Sequence, residues 1–89
     1  MPKVHPTAIV HPDARVADDA EIGPYSVVEA DAEIGPACVL REHAVVRRYT
    51  ILGRNNFLDA HVVLGGGPQD LKFDPRTVTW LRIGDDNVF

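Results

Sequence analysis

The chain is poor in cysteine, in positive charge, in long apolar runs and in helical periodicity, and each shortage removes a class of protein. Its one cysteine, Cys38, has no partner for a disulfide framework and reads as a small buried space-filler. Nine Lys and Arg stand against thirteen Asp and Glu, and the sequence pI is near 5.4. Such a balance offers no basic stripe for nucleic acid. The amino terminus, MPKVHPTAIV, holds no long apolar stretch. Neither a secretory signal nor a membrane span is therefore expected, and a cytoplasmic location is. Glycine and proline recur too often for any 3.6-residue apolar pattern to survive, which excludes a helical fold.

What is present is a period of six. Val4, Val10, Val16, Ile22, Val28, Ile34, Leu40, Val46, Leu52, Leu58 and Leu64 form one unbroken register. A strand alternates its faces, and six is even, so the same face returns inward at every repeat. Four residues after each aliphatic runs a small-residue column through Ala8, Ala14, Ala20, Ser26, Ala32, Cys38, Ala44, Thr50, Asn56 and Val62, as a tight inward corner requires. Gly23, Gly35, Gly53, Gly65 and Gly84 follow the aliphatic position, and Pro6, Pro12, Pro24 and Pro36 lie near the same bends. The expected fold is all-β, a solenoid of stacked hexapeptides. At 9.8 kDa it forms a single domain over residues 1–89, thin enough that association is expected.

The residue before each inward aliphatic should point outward. Taken every eighteen residues, these are Ile9, Val27, Val45 and Val63 in one column, Lys3, Glu21, Val39 and Phe57 in a second, and Arg15, Glu33 and Ile51 in a third. A continuous apolar outer column predicts a protein interface. If three hexapeptides make one coil, His43 and His61, eighteen apart, stack on adjacent coils at an outward corner, while His5 and His11 should lie solvated on different faces. The histidine pair could contribute to a metal site only with a third ligand, so no metal is expected.

The count of six fails after Leu64 and resumes at Ile83, because Asp70 falls where the next core aliphatic belongs. Residues 65–82 are therefore expected to leave the coil as a loop insertion rooted in Gly65, Gly66 and Gly67. Val78, Trp80 and Arg82 alternate with Thr79, Leu81 and Ile83 as a returning strand would, with Trp80 as its hydrophobic anchor.

The repeat resembles the left-handed parallel β-helix of the hexapeptide-repeat acyltransferases. The loop Pro68-Gln69-Asp70-Leu71-Lys72-Phe73, the start HPTAIVHPDA and the resumption IGDDN resemble the acyl-carrier-protein-dependent UDP-N-acetylglucosamine O-acyltransferases. That resemblance implies a left-handed helix with three hexapeptides to a coil, assembled as a homotrimer. It also implies transfer of a 3-hydroxyacyl chain from acyl carrier protein to UDP-N-acetylglucosamine, the first step of lipid A biosynthesis, without a cofactor. It assigns sugar-nucleotide contacts to Gln69, Asp70 and Lys72; a carboxylate can accept hydrogen bonds from sugar hydroxyls, and an ammonium can neutralise a pyrophosphate. The sequence departs from the family after Lys72, reading FDPRTVTWLR where a Gly-Glu-Pro-Thr turn is common. The family's catalytic histidine belongs to the coil after the insertion, past Phe89, so no catalytic residue is assigned and the 89 residues are expected to be inactive alone. Another nucleotide-sugar acyltransferase of this fold, or a non-catalytic β-helix segment, are the alternative readings.

Overall fold

The computed structural model describes residues 2–65 and 81–89, and these form a three-sided parallel β-helix. The first sheet stacks β1 (Lys3–Val4), β4 (Glu21–Ile22), β7 (Val39–Leu40) and β10 (Phe57–Leu58). The second stacks β2 (Ile9–Val10), β5 (Val27–Val28), β8 (Val45–Val46) and β11 (Val63–Leu64). The third stacks β3 (Arg15–Val16), β6 (Glu33–Ile34), β9 (Thr50–Leu52) and β12 (Leu81–Ile83). Every pairing is parallel, and Val4 lies beside Ile22 and Val28 beside Val46, eighteen residues apart as the triple hexapeptide requires. No helix among the described residues is long and apolar enough to cross a membrane.

Each strand is only two or three residues long, so one side chain enters the prism and its neighbour leaves it. The inward ladder is buried at Ile22, Val28, Ile34, Leu40, Val46, Leu52 and Leu58. Toward the ends it becomes half-buried at Val10, Val16 and Leu64, and Val4 is 40% exposed. The small-residue column is equally closed: Ala20, Ser26, Ala32, Cys38, Ala44 and Thr50 are fully buried. Cys38 is thus a core residue, its Sγ donating to the Gly53 carbonyl at 3.0 Å.

The corners are four-residue turns, several closed by an N–H from the small residue to the carbonyl three before it, as from Ala8 to His5 and from Ser26 to Gly23. Proline at the second turn position supplies its fixed φ there. From the second coil onward the third turn residue is left-handed: Tyr25, Asp31, Ala37, His43, Tyr49, Asn55, His61 and Asp86 all have φ between 57° and 65°. An L-residue in that region costs roughly 1–2 kcal/mol, and the stack repays it with hydrogen bonds. The N–H of His43 donates to the Pro24 carbonyl, that of Asn55 to Pro36 and that of His61 to Glu42. Where the coil beneath lacks such a turn, side chains accept instead: Tyr25 N–H donates to Thr7 Oγ1 and Ala37 N–H to Asp19 Oδ1.

Register locates the insertion. Leu52 pairs with Ile83, a separation of 31 in place of 18, so thirteen extra residues enter between the second and third sheets. The coil resumes at Leu81, two residues earlier than the spacing of aliphatics indicated, because Leu81 and Arg82 already pair with Thr50 and Ile51.

Candidate functional site

The insertion occupies one corner of the prism. It departs after Leu64 of β11, through Gly65, and returns at Leu81 of β12. Gln69, Asp70 and Lys72, the residues expected to meet the sugar nucleotide, lie outside the described residues, as does Trp80. Both roots are described. Gly65 has φ of 89°, a region open to glycine, and a β-carbon there would overlap Thr50 Oγ1.

The coil directly beneath this corner is charged. Arg47 Nε donates to Glu29 Oε1 at 2.9 Å, and Arg48 Nη2 donates to Asp31 Oδ2 at 3.0 Å and to the Tyr49 hydroxyl at 2.9 Å. The Arg48 guanidinium carbon lies 4.8 Å from the Tyr49 ring centroid, and Glu29 Oε1 also accepts the Arg48 backbone N–H at 3.0 Å. The hydrogen bond that Arg48 donates to Asp31, helped by nearby negative charge, raises the Arg48 pKa above its ordinary value. Both guanidiniums are thus committed to carboxylates of the coil below, and their chemistry here is to brace the corner. Pairing residues eighteen apart in the sequence finds Glu29 against Arg47, but not Asp31 against Arg48, which are seventeen apart.

At the corner between the first and second sheets, the imidazoles of His43 and His61 are stacked with centroids 5.0 Å apart and planes 8° from parallel. Tyr25 extends the stack, 5.2 Å from His43. Spacing alone pointed to the histidine pair, and the tyrosine falls in the same column. Beside this stack Glu42 is held below the ordinary carboxylate range, chiefly by its own backbone N–H and further by Arg41. No group of three or more His, Cys, Asp or Glu among the described residues could hold a metal ion. His5 and His11 are exposed, as expected for solvated positions.

The outer face of the second sheet carries the apolar column. Ile9 is 64% and Val63 is 56% exposed, with Val27 and Val45 half-buried between them. The equivalent columns on the other faces begin with ion pairs, Lys3 with Glu21 and Arg15 with Glu33, both at 3.9 Å, and continue with Val39 and Phe57 on one face and Ile51 on the other.

Stacked hexapeptides, inward aliphatics and left-handed corner residues define a hexapeptide-repeat β-helix, and residues 13–48 match the family described as bacterial transferase hexapeptide (six repeats). Within that class the chain resembles the acyl-[acyl-carrier-protein]–UDP-N-acetylglucosamine O-acyltransferases. It is 52% identical over 87 residues, 98% of the chain, to the enzyme so named from Xanthomonas euvesicatoria pv. vesicatoria, of which it covers 33%. Identity to the Akkermansia muciniphila enzyme is 51% over the whole chain, 34% of that relative. The crystal structure of the UDP-N-acetylglucosamine O-acyltransferase of Moraxella catarrhalis superposes with a TM-score of 0.90 at 41% identity, across 96% of this chain and 33% of that one. The likeness carries the left-handed sense of the helix. The chain spans about a third of the length of the curated relatives it matches.

Proposed function

We propose that these 89 residues are part of an O-acyltransferase that moves a 3-hydroxyacyl chain from acyl carrier protein to a hydroxyl of UDP-N-acetylglucosamine, the first step of lipid A biosynthesis. The observation that carries this reading is identity of 51–52% along essentially the whole chain to enzymes bearing that name. In the reaction a sugar hydroxyl attacks the acyl thioester, the carrier thiol departs, and a general base takes the hydroxyl proton. The role proposed for this part of the protein is to hold the sugar nucleotide. Gln69, Asp70 and Lys72 make the contacts, Asp70 accepting from sugar hydroxyls and Lys72 neutralising diphosphate charge. The protein works in the cytoplasm as a homotrimer, joined through the apolar column of the second sheet.

The test is kinetic, on the intact enzyme carrying this sequence. Asp70→Ala or Lys72→Ala should raise KM for UDP-N-acetylglucosamine roughly ten- to a hundredfold, the loss expected for a charge-assisted contact worth about 1.5–3 kcal/mol. Unchanged constants in both variants remove these residues from the site. Faster transfer to a different UDP-sugar moves the assignment to another nucleotide-sugar acyltransferase.

A further inference from the structure

Three of the four polar side chains buried in the small-residue column obey one rule. Ser26 Oγ donates to the Arg41 carbonyl at 2.7 Å, Cys38 Sγ to that of Gly53 at 3.0 Å, and Asn56 Nδ2 to that of Gly84 at 2.8 Å. The acceptor is fifteen residues ahead in the first two cases; in the third it is 28 ahead, which is fifteen plus the thirteen added by the insertion. Each time it is the residue just after the core aliphatic of the next coil. By this rule Thr50 should donate to Gly65. It does not: Thr50 Oγ1, fully buried, is the one such side-chain polar atom without a partner among the described residues.

The reason lies in Gly65. Gly23, Gly35, Gly53 and Gly84 hold the same register without a positive φ, and Gly65 alone among the described glycines is turned to 89°. Its α-carbon packs on Thr50 so closely that a β-carbon would overlap Oγ1 and approach Arg47 Cβ to 3.2 Å. Thr50 is also the register partner of Leu81, where the chain comes back. One residue therefore meets both roots of the insertion, with its side chain at the departure and its backbone at the return. The column positions beneath it on this face are Ala14 and Ala32, which have no branch. The wedge appears only in the coil from which the chain departs, and β-branching fixes its direction.

We propose that Thr50 is a positioning residue for the segment between Gly65 and Leu81, its branched side chain setting the direction in which the chain leaves the prism. Its consequence for catalysis rests on the reading that Asp70 and Lys72 bind the sugar nucleotide. The shape of the side chain, and not its hydroxyl, does the positioning.

The experiment compares Thr50→Ala, Thr50→Val, Gly65→Ala and Ser26→Ala in the intact enzyme, by native tryptic cleavage after Lys72 and Arg76 and by KM and kcat for UDP-N-acetylglucosamine. Thr50→Ala removes the wedge and Gly65→Ala collides with it, so both should be cut faster and show KM raised about five- to tenfold, equivalent to about one weak contact, with kcat within about twofold. Thr50→Val keeps the shape and should match the parent in both. Ser26→Ala loses the same kind of corner bond at a distant coil and should melt earlier without changing cleavage or KM. Parental cleavage in both Thr50→Ala and Gly65→Ala, or equal effects in Ser26→Ala, overturns the proposal. Faster cleavage in Thr50→Ala with unchanged KM, together with unchanged KM in Asp70→Ala and Lys72→Ala, upholds the positioning role and overturns the sugar-nucleotide reading.

Discussion

His43 lies flat on His61, ring centroids 5.0 Å apart, while its own backbone sits at φ 58°. The side chain thus contributes stacking at a position whose backbone favours glycine. His43→Ala forfeits the stack, about 0.5–1.5 kcal/mol, and keeps the backbone strain. His43→Gly forfeits the stack but releases strain, so it should be more stable than His43→Ala by about 1 kcal/mol. Urea denaturation midpoints with a common slope measure the order, and an alanine variant equal to or above the glycine variant contradicts it.

The ladder of aliphatics is buried unevenly, and substitution costs should follow that gradient. Leu40→Ala opens a cavity at a fully buried site and should cost about 2–5 kcal/mol, a large share of the roughly 5–15 kcal/mol that holds a domain together. Val4→Ala, at a position 40% exposed, should cost under about 1 kcal/mol on its buried area. Similar thermal shifts for the two variants would falsify the inward assignment.

The trimer proposed to form through the second sheet makes Val45 the sensitive residue, since it sits mid-column between exposed Ile9 and Val63. Val45→Glu places a charge in the contact and should convert the trimer to monomer in sedimentation equilibrium of the intact protein. A variant that remains trimeric moves the interface to another face.

Cys38 should be chemically silent in the native state, because its sulfur is buried and bonded to the Gly53 carbonyl. An Ellman-type reagent should find no reactive thiol until denaturant is added, then one per chain. Rapid native labelling contradicts the closed corner.

The period of six told which aliphatics enter the prism and that the count breaks after Leu64 and resumes at Ile83, while the pairing of residues eighteen apart came with the family resemblance. The corners were less legible. Tyr, Ala and His do not advertise a left-handed backbone; those conformations are imposed by hydrogen bonds such as His43 N–H to the Pro24 carbonyl, partners nineteen residues apart that local preference cannot anticipate. The alternation up to Ile83 marked a returning strand, but counting aliphatics kept Leu81 and Arg82 in the insertion, because the strand joins the ladder before its first inward aliphatic. Thr50 passed for one more small corner residue, and its part at the insertion emerges only from the offset that Ser26 and Cys38 share.

The left-handed corners also give the solenoid a direction. Tyr25, Ala37, His43, Asn55, His61 and Asp86 each lean by their N–H on an acceptor in the preceding turn of the winding. A chain pulled from the carboxyl-terminal side of these coils should therefore unwind like thread from a spool, each lost layer freeing the one before it. Eighteen residues pay out about 60 Å of slack per step at the reach of an extended chain. The layer bearing the insertion, 31 residues from Leu52 to Ile83, should stand apart as one longer jump of about 100 Å.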